Sequence, residues 1–522
     1  MFKNENGSSL LVVLLMMLTF TVLGISILSA SIGGAKRTSI REDEVTHNLD
    51  AIKEVNEGIA YIKSTINSKY TATMDITEYQ KVIEEILSNP AKYEIIDVST
   101  NFNIDLNVDY TRVFDVSSSY NSAGNKYTQR LYVTAMPSFL KYALGSRKDL
   151  TMNGSIYVKD GDIYANEALF LSDEARYIFN SERKTRKTEL SIASPNSNIE
   201  IYGPIQYCST TSCYRDSEMN PRHPSAWRTI QVNELSKGFE KEEYTPRYFI
   251  PDEKYIEVNI PRTMIDKLIE LGVSATYIET SNSIQFNQLS YMVENILNTS
   301  EATNSNKSYY INKDIFIEPN SRTFGNEPLF KIEKGQWLII DGDAHIENIG
   351  TEKLNVQANL LITGNLTIKG DVAFDSTVYV LGNADVIDAN ITGFSYDNGN
   401  TGELILLNEK TLKIAKINKF SNPDFSSYKL NAYFYTASDA QLYAVGSYIS
   451  ITGGLFARGD LEVNSFRGTV SIGSEDLNFT PSRIINDSRL VISNNKTLFI
   501  NQSQGLPRVN QLLFLTDPIE KN

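Results

Sequence analysis

ITGNLTIKGDVAF, residues 362–374, returns as ITGGLFARGDLEV at 451–463, with Ile, Thr, Gly, Leu, Gly and Asp in register. Gly-Asp followed by an apolar residue also occurs at Gly161-Asp162-Ile163 and Gly342-Asp343-Ala344. Gly364, Gly370 and Gly382 are spaced by six and twelve, with Leu366, Ile368, Val372, Phe374, Val378 and Val380 between them. Short alternating strands turned at Gly or Asn corners are what a parallel β-helix, or β-solenoid, requires. Inward side chains stack into a core, and the corner takes φ > 0 without a Cβ penalty. A β-sandwich is the other reading of the same alternation. The shared letters fall at corners and presumed inward positions, Gly364 with Gly453, Leu366 with Leu455 and Gly370 with Gly459, while the presumed outward Thr367 and Phe456 differ. The repetition is therefore read as backbone geometry, and specific function is sought in the unrepeated parts.

Outward from this stretch, the repetitive β region is expected at 313–500 and, in DLTMNGSIYVKDGDIYANEALFL, from 151 to 205. Between them, 206–312 reads as an insertion subdomain. It holds both cysteines, five of the 15 prolines, and the helix-like RTMIDKLIEL and QFNQLSYMVENILN. Before the β region, 71–150 reads as a small α+β unit. DITEYQKVIEEILSN is a helix capped by Asp75 or Thr77 and closed by Pro90, and FNIDLNVDYTRVFDVSS and YTQRLYVTAM are strands about the turn NSAGN. Residues 501–522 are expected as a tail.

The chain is 522 residues long with net charge −14, 21% charged and 10% aromatic residues. This is a globular composition with room for several units. The acidic balance, with no Lys/Arg-rich run, argues against nucleic acid as the main partner. Cys208 and Cys213, in YCSTTSCYR, make a poor zinc site without a second Cys or His pair. They are either a small disulfide loop, if the chain is exported, or two free thiols.

From Asn6 to Ala35 no residue is charged. The segment 1–35 is therefore expected to be a short leader followed by a transmembrane helix, with a cleaved signal peptide ending near Ser29-Ala30-Ser31 as the competitor. In 36–70, Val45, Leu49, Ile52, Val55, Ile59, Ile62 and Ile66 recur every 3.5 residues on average, the packing face of an amphipathic stalk helix or a short coiled coil. Lys36, Arg37 and Arg41 outnumber Lys3, and by count alone would keep the rest of the chain in the cytoplasm.

Residues 4–62, NENGSSLLVVLLMMLTFTVLGISILSASIGGAKRTSIREDEVTHNLDAIKEVNEGIAYI, resemble the start of PilX-type, minor-pilin-like type IV pilus assembly proteins of Gram-positive bacteria. Shared are a short polar leader, a Gly, an apolar helix ending in small residues, and an amphipathic continuation. PSFLKYALGS at 137–146 resembles segments preceding the β region in the same group, and the solenoid repeats resemble those of bactofilins. The likeness implies prepilin cleavage between Gly7 and Ser8, other pilin-like subunits as partners, and a single-pass membrane protein with an extracellular C-terminal part. Val12 stands where major pilins carry Glu.

No phosphate loop, nucleophile elbow or His-Glu-x-x-His occurs, and no cofactor or metal is implied. Of three His, His47 lies on the stalk and His223 in a Pro-rich stretch. In IIDGDAHIE, Asp341, Asp343, His345 and Glu347 alternate. On one strand they would share a face, either a solvated surface or a metal- or glycan-active cluster. Arg458-Gly459-Asp460 has the form of an adhesion tripeptide, but Lys369-Gly370-Asp371 holds the same place in the other copy, so a corner explains it. The sequence thus predicts a mainly β protein: membrane and stalk helix, small α+β pilin-like unit, then a parallel β-helix interrupted by an α/β insertion. The expected role is non-catalytic, in pilus or surface-filament assembly or adhesion. A β-helix polysaccharide enzyme and a bactofilin-like scaffold are the alternatives, and no surface ligand is named by the sequence.

Overall fold

The computed structural model describes residues 6–521 except 72–73, 89–92, 103, 105, 107–109, 120–124, 181, 210–211, 216–221, 252–254, 279–282, 289–292, 320–328, 334, 349, 351–353, 397–400, 416–428, 475, 496–504, 508 and 510. At 6–9, 274–278, 283–288 and 329 only the backbone is described. The chain is mainly β, with a long N-terminal helix and one large parallel sheet. It divides into two compact units, Met1–Thr134 with Leu512–Asn522, and Ala135–Gln511.

The first unit is a helix-on-sheet arrangement. Helix α1, Asn6–Lys69, runs 64 residues without a break. Helix α2, Ile76–Leu87, starts where Asp75 accepts a hydrogen bond from the Glu78 amide at 2.8 Å, satisfying an amide that the first turn leaves open. Strands β1 (Glu94–Asp97), β2 (Arg112–Ser117) and β3 (Tyr127–Thr134) pair antiparallel in that order. The expected tail is instead a strand: β4, Leu513–Thr516, pairs antiparallel with β3, Leu131 opposite Thr516 and Thr134 opposite Leu513. The second unit is therefore inserted between two neighbouring strands of the first. Because its boundary falls after Thr134, the FLKYAL segment belongs to the second unit, where Tyr142–Ser146 is a strand.

The second unit is a β-solenoid. Among the described residues, 28 strands form one sheet that wraps around a continuous aliphatic core. Three faces can be followed rung by rung. On the first face, the parallel stack from Ser308–Ile311 through Trp337–Ile340, Asn359–Ile362, Ser376–Val380, Leu404–Asn408 and Lys429–Thr436 reaches Ile449–Ala457. The next rung is not a later segment but an earlier one: Leu455 to Ala457 pair with Leu144 to Ser146, and the stack continues through Asp162–Ala165 and Asn198–Ile201. The same jump occurs on the second face, Leu461–Ser465 onto Asp149–Gly154, and on the third, Leu490–Asn494 onto Ile156–Asp160. One solenoid is thus built from two sequence segments, with the earlier stacked on the end of the later.

The stretch 206–312 is where the chain passes from one end of this stack to the other. Its borders carry rungs, Ile205–Cys208, Arg228–Ile230 and Arg247–Tyr248 at one end, Val293–Asn295 and Ser308–Ile311 at the other. The interrupting α/β part is narrower: helix α3, Ile260–Glu270, and the hairpin Ser274–Ile278 with Ser283–Gln288. The expected helix at 285–298 is replaced by that hairpin strand and by Val293–Asn295. Val293–Asn295 pairs with the next rung, and sheet pairing outweighs the local helical spacing.

The two ITGxL copies do not occupy equivalent places. Ile362 ends a first-face strand and Leu366 opens the second face, whereas Ile451 lies on the third face and Leu455 on the first. The shared letters encode a corner, used at different corners of the triangle. Gly370 has φ of +80°, as expected, but Gly364 and Gly382 serve close approach. The Gly382 amide bonds to Gly364 O at 2.9 Å, and a Cβ at Gly382 would meet that oxygen at 2.3 Å.

Candidate functional site

Helix α1 changes character along its length. A helix of this size spans about 95 Å at 1.5 Å per residue, and a bilayer's hydrocarbon core needs only about 20 residues of it. The segment from Leu10 has a mean hydropathy of 2.7 and none of its apolar window is buried in the protein, the length and composition of one membrane span or of a signal sequence. Gly7 and Ser8 lie in the first turn, and their side chains are outside the described residues.

The far half of α1 is the spine of the first unit. Val55, Ile62 and Ile66 are fully buried and Ile59 nearly so, packed toward β2 and β3. Gly58 lets the sheet come close, since a Cβ there would lie 2.6 Å from Val116 Cγ1. Glu54 accepts from the Ser119 amide and hydroxyl at 3.0 and 2.7 Å, and Lys63 lies over the Phe514 ring of the C-terminal strand. The expected packing face from Val45 to Ile66 is thus divided. Val45 and Leu49 are 57% and 60% exposed and Ile52 is half-buried, because the sheet ends before it reaches them.

The polar candidates are placed as follows. Asp341, Asp343 and His345 do not share a strand face: Trp337–Ile340 ends before them, Ala344–Asn348 begins after Asp343, and a corner lies between. Asp341 accepts from Thr363 Oγ1 at 2.9 Å and Tyr310 OH at 3.1 Å, while His345 stacks on Phe316 at 4.6 Å between ring centres. Asp343 belongs to a ladder that no single repeat reveals. Asp314 Oδ1 accepts from the Asp343 amide at 2.7 Å, Asp343 Oδ1 from Asn365 at 2.7 Å, and Asn365 Oδ1 from Asn383 at 2.9 Å. Higher up, Asp439 accepts from the Asp460 amide at 2.8 Å and Asp460 from Asp149 at 3.3 Å, the last across the join of the two segments. Asp460 of the Arg-Gly-Asp triplet is one such rung. Part of the sequence signal was present, an Asp or Asn after Gly at Asp343, Asn365, Asn383 and Asp460, but Asp314, Asp439 and Asp149 follow Lys or Ser, and the meaning required knowing which corner stacks on which.

Cys208 and Cys213 form a disulfide. Its loop packs against the outside of the solenoid, with the Cys213 amide donating to Glu174 at 2.8 Å and Trp227 Nε1 donating to Cys213 O at 3.1 Å. Burial pushes the Glu174 carboxyl up, and the Cys213 amide opposes that shift by stabilising the ionised form. Among the described residues, no three His, Cys, Asp or Glu side chains are grouped so as to hold a metal ion.

No protein-family model and no curated protein matches this chain. Among solved structures, the competence-associated pilin ComZ from Thermus thermophilus aligns over 79% of this chain and 80% of its own, at 12% identity and a TM-score of 0.29. A likeness of that size is too slight to transfer either fold or role.

Proposed function

We propose that this chain is a membrane-anchored, pilin-like structural protein that acts without catalysis in type IV pilus or surface-filament assembly or adhesion, with its solenoid outside the membrane. One observation carries this reading. A single unbroken helix offers an exposed apolar half of membrane-spanning length and uses its other half as the buried spine of a small helix-on-sheet unit. A secretory signal has no reason to continue into the core of the mature fold, since its removal would take the helix start with it. Engagement of Asp341 and Asp343 in hydrogen bonds within the solenoid supports the non-catalytic part. The deciding measurement is the mass of the mature N-terminus from the native host. A chain beginning at Ser8 is expected. One beginning at Ile32 would make this a secreted protein, and an intact Met1 would leave a plain anchor without prepilin processing.

A further inference from the structure

Among the described residues of the second unit, four aromatic side chains are markedly exposed: Tyr202, Tyr248, Phe249 and Phe316. Three of them meet at one place, the rung that ends the first-face stack. There Arg247 and Tyr248 pair with Asn198 and Ile199, the Phe249 amide continues the ladder to Ile199 O at 3.1 Å, and Tyr248 OH reaches Ile201 O, next to Tyr202, at 3.5 Å. Each of the three rings is about half exposed. Arg247 and Phe249, two apart along extended chain, project to the same side. Arg247 is exposed too; its Nε donates to Pro195 O at 3.4 Å, and it makes no ion pair among the described residues. The neighbouring carboxylate is turned inward, since Glu200 is buried and accepts from Tyr142 OH at 2.9 Å.

We propose that this patch binds a carboxylated sugar, the uronic-acid unit of an anionic polysaccharide. Chemistry and scale select that ligand. A pyranose has a face of C–H groups that covers an exposed aromatic ring, and a rim of hydroxyls that stays in water. The guanidinium fork matches a carboxylate through two parallel charge-assisted bonds. One cation on a chain of net charge −14 suits one carboxylate per sugar unit, whereas a polyphosphate needs several cations together. A protein partner needs about 20–30 residues a side, and this patch is a handful of side chains. The site gives the adhesion named above a ligand class, so it rests on the solenoid lying outside the membrane, but not on prepilin processing.

The full-length chain in phosphatidylcholine nanodiscs, titrated with polygalacturonate, alginate and hyaluronan, provides the test. Binding to at least one of the three is expected, weakened by salt and lowered about tenfold or more when that polymer's carboxyl groups are methyl-esterified. Phe249→Ala should weaken binding of the acid and ester forms alike. Arg247→Gln should bring the acid form down to the level of the ester, and Phe316→Ala, at the other end of the solenoid, should change neither. All three side chains are exposed, and thermal unfolding checks that the variants fold. No binding to any of the three polymers, equal binding of acid and ester forms by the unmodified chain, or a loss in Phe316→Ala equal to that in Phe249→Ala overturns the proposal. So does equally strong binding of polyglutamate or of phosphatidylglycerol vesicles, which would make the patch a cation site for acidic peptides or membranes. Polymer binding by a chain whose native N-terminus is Met1 would remove the prepilin reading and keep this one, and a Ser8 start without binding would do the reverse.

Discussion

Glu403 sits at a corner of the solenoid, 7% exposed, with Asn495 Nδ2 donating to one carboxyl oxygen and the other buried without a partner. Burial, and then the nearby charge of Asp375, push its carboxyl up from 4.5 to about 7. The folded state therefore binds a proton that the unfolded state has already released between these values, so stability falls as pH rises from about 4.5 to about 7 and is constant above. Glu403→Gln should remove this slope and stabilise the protein at pH 8 by up to about 3 kcal/mol, the linkage value of a shift of that size, as read by denaturant titration at pH 5 and 8. Asp343 makes an opposite case. Asp343→Ala leaves the Asn365 amide without its acceptor and is expected to cost about 1 kcal/mol of solenoid stability. An effect on processing of any polysaccharide, with stability unchanged, would contradict its structural assignment.

At the scale of elements, the buried part of the α1 stripe separates from the exposed part by function. Ile62→Ala should destabilise the first unit by about 2–4 kcal/mol, the usual range for an aliphatic core truncation, whereas Leu49→Ala should leave its unfolding within about 0.5 kcal/mol. Thermal or denaturant unfolding followed in that unit distinguishes them. The stripe itself was legible from its spacing, but where its cover ended was not, because periodicity reports an apolar face and not the length of the sheet that meets it. The helix at α2 was equally legible, and the structure selects Asp75 over Thr77, the two caps its sequence allowed. Residues 285–298 misled because Phe286, Leu289, Met292, Val293 and Ile296 fit a helical spacing while a rung of the solenoid supplied stronger pairing for Val293–Asn295.

For the whole molecule, the decisive feature is the join where the earlier solenoid segment stacks on the later. The returning segment crosses it. Tyr255 stacks on Phe456 from one side of the join and lies 5.3 Å from the Tyr164 ring on the other, and Glu257 reaches Arg147 at 2.6 Å and Arg458 at 3.7 Å. Tyr255→Ala is expected to cost about 3 kcal/mol, and Glu257→Ala, partly exposed and screened, less than about 1 kcal/mol. Because the rung Tyr142–Ser146 needs Ile449–Ala457 beneath it, a chain ending at residue 250 should fail to form a protease-resistant solenoid, although it contains the complete earlier segment. Limited proteolysis and far-UV circular dichroism of that fragment, against the full chain, would show it. A folded fragment would mean that the earlier segment caps itself.

The amino-acid sequence by itself determined the kinds of element: an apolar helix continuing into an amphipathic one, a capped short helix, and Gly- and Asn-cornered rungs of a solenoid. These follow from forces that act within a few residues, namely periodic burial, capping and corner geometry. Only the tertiary structure decided the order of the rungs, the return of Leu513–Thr516 to close the first sheet, and the division of Asp341, Asp343 and His345 across a corner. Those depend on which distant segments share a hydrogen-bonded edge, and any rung with aliphatic inward positions and a small corner residue offers nearly the same edge to many others. The repeat that makes the solenoid recognisable is thus what hides its connectivity.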